Sequence, residues 1–218
     1  MASLGACGNK TVSEKMADRP GRVDVSAAPA SVHVNYFDKP PAGAVERDRN
    51  FDAYTLWFYH CFADIQMQPV DADDTIGASS AHFVVKNIQL RLSCPINIWL
   101  PRNAQAVVRD HEDGHSEICK KVYLLAPAVA RKAAEDILGK SYSGMGANLA
   151  EAKQVAMSAA KEDIAQAFRS GVIERADEIS VLYDDFAARQ MRHDMSLPQK
   201  PLAEAAYQRV IKRVPQEL

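Results

Sequence analysis

Near residue 103 the spacing of apolar side chains along this chain changes period, and that change constrains its fold more than any other feature. Upstream, the pattern alternates. Phe83, Val85 and Asn87 interleave with His82, Val84 and Lys86, and Ile88, Leu90 and Leu92 then interleave with Gln89, Arg91 and Ser93. Downstream, alanines and charged residues dominate and the period moves to about 3.6 residues. Strands followed by helices, rather than strands interleaved with helices, predict an α+β fold. The expected form is an antiparallel sheet of three to five strands followed by a helical half.

Strands are expected at 32–37, at 52–66 and across 81–100. Pro95 interrupts the last of these and starts a separate piece at 96–100, because proline cannot donate to a ladder. The run 71–74 reads as an acidic loop. Residues 1–31 are rich in Ala, Ser, Pro and Gly and read as a flexible leader with a short strand at 22–25. Residues 32–213 then form one domain. Its first helix is expected at 103–125 with Asn103 as N-cap, kinked or ended by Pro127 and continued to Leu138, with Gly139 at its end. Further helices are expected at 148–168, stopped by Ser170-Gly171, then at 172–193 and 202–213.

The 218 residues carry 26 Lys+Arg against 28 Asp+Glu, a net charge of −2, and this balance gives no electrostatic case for a general nucleic-acid binder. No apolar run reaches the roughly 20 residues of a membrane span. The cysteines at 7, 61, 94 and 119 form no Cys-x-x-Cys pair, which argues against a zinc ribbon and a thioredoxin-like redox site. Cys61 and Cys94 sit in strand-like segments, so they are either a cross-sheet disulfide in an oxidising compartment or buried free thiols. Leu4-Gly5-Ala6-Cys7 resembles a bacterial lipobox, which implies a lipid anchor at Cys7 and a periplasmic or cell-envelope location. The basic and apolar regions of a signal peptide do not stand in front of it.

Chemistry concentrates in the first expected helix, at His111-Glu112-Asp113-Gly114-His115. Histidines four apart lie one turn above each other, so both imidazoles can reach one Zn²⁺ at about 2.0–2.1 Å. A glutamate next to the first histidine is angled toward the ion without ligating it and can act as general base in peptide hydrolysis. Val108, His111, His115, Ile118 and Val122 share one stripe, which turns the histidines inward. Gly114 costs about 1 kcal/mol relative to alanine inside a helix, which points to a close approach there.

His111-Glu112-Asp113-Gly114-His115 resembles the HExGH signature of a bacterial family of predicted secreted zinc-dependent proteases, domain of unknown function 922. The similarity covers roughly residues 32–193, including the order of sheet, HExGH helix and helical tail, and implies a minimal zincin-like fold of gluzincin type. That family carries a later YDxxTxHG-like motif whose histidine is a candidate third ligand. Tyr183-Asp184 match its start, whereas Ala187 and Arg189 stand at its threonine and histidine positions.

A catalytic zinc takes three protein ligands and leaves one position open. The third is expected to be His193, the single histidine after His115, with Glu178, Asp184 and Asp185 as acidic alternatives. Tyr183 is a candidate hydrogen-bond donor to the oxyanion. His33, His60 and His82 fall in strand segments and are read as structural. The expected function is therefore a zinc-dependent peptidase with Glu112 as base and extended polypeptide as substrate, bound by strand addition at an edge such as 96–100. A lid is conceivable at 71–74 or 141–146. Two alternatives remain open, a zinc-binding but inactive cell-envelope adaptor and a purely structural lipoprotein.

Overall fold

The structure is a computed structural model that describes residues 21–38, 53–75, 78–194 and 198–212, with side chains undescribed at 72–75 and 78. Cys7 and the lipobox-like tetrapeptide lie outside the described residues. In chain order the elements are β1 (Arg22–Ala27), β2 (Ser31–Phe37), β3 (Tyr54–Trp57), β4 (His60–Thr75), β5 (Ala78–Ser93), β6 (Pro95–Pro101), α1 (Ala106–Tyr123), α2 (Ala126–Ile137), β7 (Ser141–Gly146), α3 (Leu149–Phe168), α4 (Glu174–Met191) and α5 (Lys200–Ile211). The fold is α+β, as the change of period predicts.

The strands form two mixed sheets rather than one antiparallel sheet. In the larger, β5 is flanked by β4 on one side and by β1 and β7 on the other; in the smaller, β6 lies between β2 and β3. β1 runs parallel to β5 and β2 parallel to β6. Strand direction is set by the path between strands, and side-chain alternation carries no trace of it. β1 is a full member of the main sheet, with Val23 opposite Ile88 and Val25 opposite Leu90. β1 therefore joins the sheet about ten residues ahead of the expected boundary at 32.

The expected strand at 52–66 is two strands. β3 belongs to the small sheet and β4 to the large one, with Phe58-Tyr59 carrying the chain between them. β4 then runs through 71–74, where a loop was expected, because Asp71, Asp73 and Asp74 pair with His82, Ser80 and Ser79 of β5. β4 borders the sheet, and its ladder shifts register at Gln66/Met67 and around Pro69, irregularities that make a long border strand a poor template for another chain. The segment 141–146 is also a strand, β7, antiparallel to β5.

Pro95 opens β6 as expected, and Ile96, Ile98 and Leu100 point alternately into the core. α1 begins two residues later than an Asn103 cap predicts, since Gln105 precedes it and makes no side-chain cap. Pro127 occupies the first turn of α2, where its missing N–H has no partner to lose, so the chain breaks at Leu124-Leu125 instead. Gly139 follows α2 with φ of 77°, a conformation that favours glycine. Asn148 caps α3 by accepting from the Glu151 backbone N–H at 3.0 Å, while the Glu151 carboxylate reaches back to the Ala147 N–H.

Ser170-Gly171 does not stop the next helix. One π-helical turn, Arg169–Ile173, carries α3 into α4. An alanine stripe on α3 (Ala152, Ala156, Ala160) is fully buried, and α3 packs against α2 and the main sheet. The main core joins Phe83, Val85, Ile88 and Leu90 of the sheet to Ile118 and Val122 of α1 and Ile179 of α4.

Candidate metal centre

Three elements converge at the HExGH segment. α1 supplies His111, Glu112 and His115, all less than 10 % exposed. α4 lies across it and brings Tyr183 and Asp184, and β3 approaches from the small sheet with Thr55 and Trp57. One turn of helix sets the two imidazoles side by side, with ring centroids 4.9 Å apart and planes at 89°.

The third group at the pair is Asp184. Its Oδ1 lies 3.3 Å from His111 Nε2 and 3.0 Å from His115 Nε2. Ligand atoms of His111, His115 and Asp184 all lie within 4.8 Å of one another, and among the described residues no other such group of three occurs. Donors about 2.0–2.1 Å from a tetrahedral ion are spaced about 3.3 Å apart, so these separations fit a common ion. Two imidazoles and a carboxylate form a borderline donor set that suits such an ion, and the three residues can hold a metal ion.

Asp184 was one of three acidic alternatives to His193. His193 is exposed in the turn after α4 and is not part of the group, and Glu178 and Asp185 are exposed on other faces of the helix. The reason is helical geometry. Residues 184 and 193 are nine apart, about two and a half turns, so a helix that presents Asp184 to the histidines carries His193 well past them. Burial alone would raise the Asp184 carboxyl, but hydrogen bonds from His111 and His115 and their charge outweigh it and hold it down to about 2.

Tyr183 is wholly buried and its hydroxyl donates to the His111 carbonyl oxygen at 3.0 Å. Its ring stacks on His111 and meets His115 edge-on, each at a centroid distance of 4.9 Å. The hydroxyl expected as an oxyanion donor is thus committed to the main chain and closed off from solvent in this structure. Tyr183 also explains Gly114, since a Cβ there would stand 2.2 Å from the Tyr183 hydroxyl oxygen.

Glu112 is 2 % exposed, and burial pushes its carboxyl above the ordinary range despite the opposing pull of His115 and of the Thr55 hydroxyl. Thr55 Oγ1 donates to Glu112 Oε2 at 2.6 Å, and Trp57 stacks on His115 with centroids 6.1 Å apart. Neither residue stands out in the sequence. They precede the motif by more than fifty positions, and alternation alone marks them as strand.

The remaining expectations lie elsewhere. Cys61, Cys94 and Cys119 are free thiols. Cys61 stands opposite Leu92 in the ladder, leaving Cys94 on the diagonal, where Cα atoms are typically about 7–8 Å apart and too distant for an unstrained disulfide. His33 is exposed on β2, His60 stacks between Phe58 and Phe62, and His82 Nδ1 meets the Ser143 hydroxyl at 3.0 Å. Strand 96–100 is not an edge, since β2 and β3 cover both of its sides. No helix among the described residues is long and apolar enough to cross a membrane. Comparison of the chain with protein-family models, curated proteins and solved structures gives no match.

Proposed function

We propose that the protein is a zinc-dependent peptidase of the minimal zincin type, as the HExGH resemblance implies, with His111, His115 and Asp184 as ligands. The observation that carries this reading is a buried carboxylate, Glu112, beside a two-histidine, one-aspartate cluster of metal-binding geometry. When bound, zinc supplies an activated water and polarises the scissile carbonyl. Glu112 accepts the proton that the water loses as its oxygen bonds to the carbonyl carbon. It returns that proton to the amide nitrogen as the C–N bond breaks, giving a carboxylic acid and an amine.

Geometry also favours an extended polypeptide as substrate. Among the described residues β3 borders the small sheet with no strand paired on its outer side, and it lies beside the histidines through Thr55 and Trp57. In this reading β3 receives the substrate strand in place of the expected 96–100.

Glu112→Gln tests the reading. The variant keeps one equivalent of zinc and loses peptide hydrolysis by at least about a hundredfold, in line with removal of a general base. A protein that binds no zinc on titration would return the chain to a structural role. A zinc-loaded wild type that leaves every unfolded protein intact would favour the adaptor.

A further inference from the structure

We infer that Thr55 is a positioning residue for Glu112, fixing the carboxylate from a border strand that packs against the helix carrying it; this rests on the peptidase reading above. The Thr55 hydroxyl has one proton, and the nearest acceptor is Glu112 Oε2 at 2.6 Å, with the Glu112 main-chain oxygen farther off at 3.4 Å. The shorter separation lies in the range of a charge-assisted O–H···O⁻ bond.

A glutamate on a helix has three side-chain torsions, and burial alone does not select one carboxylate orientation. Thr55 ties down Oε2, which leaves Oε1 to exchange the proton. Threonine is suited to this task because its branched Cβ restricts the first torsion and holds the hydroxyl in place. β3 itself is held by β6, where Thr55 stands opposite Ile98, a residue 1 % exposed. Thr55 therefore reaches the helix from a rigid frame. Because β3 also meets His115 through Trp57, a substrate strand laid along it would lie against the same element that orients the base.

The experiment uses Thr55→Val, which keeps the shape and removes the hydroxyl, and Thr55→Ser, which keeps the hydroxyl. The first readout is urea unfolding of the metal-free protein in a double-mutant cycle with Glu112→Ala. Thr55→Val raises the unfolding equilibrium constant about tenfold when Glu112 is present, the size expected for a hydrogen bond to a charged group, and has little effect when it is absent. Equal effects in both backgrounds would overturn the contact.

The second readout is hydrolysis by the zinc-loaded protein of the internally quenched peptide that the wild type cleaves fastest in a mixed-sequence set. Thr55→Val lowers kcat about 10–100-fold with KM and zinc content unchanged, and Thr55→Ser recovers most of the loss. An active wild type with an equally active Thr55→Val would overturn the positioning role. A wild type that cleaves nothing overturns the peptidase reading, and the role for Thr55 falls with it.

Discussion

The Tyr183 hydroxyl sits over Gly114 and donates to the carbonyl of His111, so one side chain from α4 braces the motif helix where its glycine leaves room. A methyl group at position 114 would lie 2.2 Å from that oxygen and 2.5 Å from the ring carbon bearing it. Both imidazoles lean on the same ring. The glycine of the motif therefore answers to a packing demand of the candidate metal centre, and its cost to the helix is offset by the buried tyrosine it admits.

Gly114→Ala is expected to destabilise the protein by about 1–3 kcal/mol, the usual range for overpacking a filled core. In a Tyr183→Phe background the clash with the hydroxyl oxygen is gone and the cost of the same alanine shrinks. Urea unfolding of the four proteins measures the coupling. Strict additivity would mean that the hydroxyl oxygen is not the atom that crowds an alanine at 114.

Metal affinity separates the ligand assignments. Asp184→Ala removes a proposed ligand, and since second-shell changes alone cost about 10–100-fold in affinity, it should weaken zinc binding further than that. His193→Ala should leave affinity unchanged. Competition with a chromophoric chelator measures both. A weakened His193→Ala beside an unaffected Asp184→Ala would reverse the assignment.

The thiols give a pH-dependent prediction. Burial pushes Cys94 up to about 12 and Cys61 up to about 11, and it raises Cys119 as well. A folded-state value above the ordinary 9.0 means that burying the neutral thiol contributes stability fully present below that pH. The contribution is lost as pH climbs from there through the folded values. At pH 8 the thiolate fraction of Cys94 is about a thousandfold below that of a free thiol, three pH units being three decades. Iodoacetamide at that pH should leave Cys94 and Cys119 unmodified in peptide maps of the native protein and label both in urea. Modification of native Cys94 at the rate of an unfolded thiol would contradict the burial.

The parts of this fold legible in the sequence are those written in local periods. The change at residue 103, the inward stripe of α1, the helix start near Asn148 and the stop at Gly139 each depend on residues a turn or a pleat apart. What stayed hidden depends on contacts between distant segments. The parallel entry of β1 beside β5 and the split of 52–66 between two sheets leave no local mark. In the site, His111, Glu112 and His115 were visible because helical spacing brings them together. Asp184 was one of several acidic choices until the path of α4 selected it, and Thr55 reaches Glu112 from fifty-seven residues away. Gly171 shows the converse case, a local signal overridden by context. Its turn stays helical where a Cβ would meet Val129 at 2.6 Å, so the glycine permits a close packing instead of ending a helix.

Gly144 gives the same argument its sharpest test, because the neighbour it meets is backbone. A Cβ on this β7 residue would fall 1.7 Å from the Ala152 carbonyl oxygen and 2.6 Å from its carbon. No side chain is there to swing aside, so Gly144→Ala must move β7 off α3 or break its pairing with β5. The expected cost is about 3 kcal/mol or more, at the upper end of overpacking effects. Met145, next in the strand and 71 % exposed, faces away, and its replacement by alanine should stay within about 0.5 kcal/mol. Hydrogen exchange checks the location as well as the size. Gly144→Ala should speed exchange at the β7 amides paired with β5, while the α1 amides around His111 change only as far as global stability falls. Unchanged protection in β7 would show that strand and helix are not packed as closely as the glycine implies.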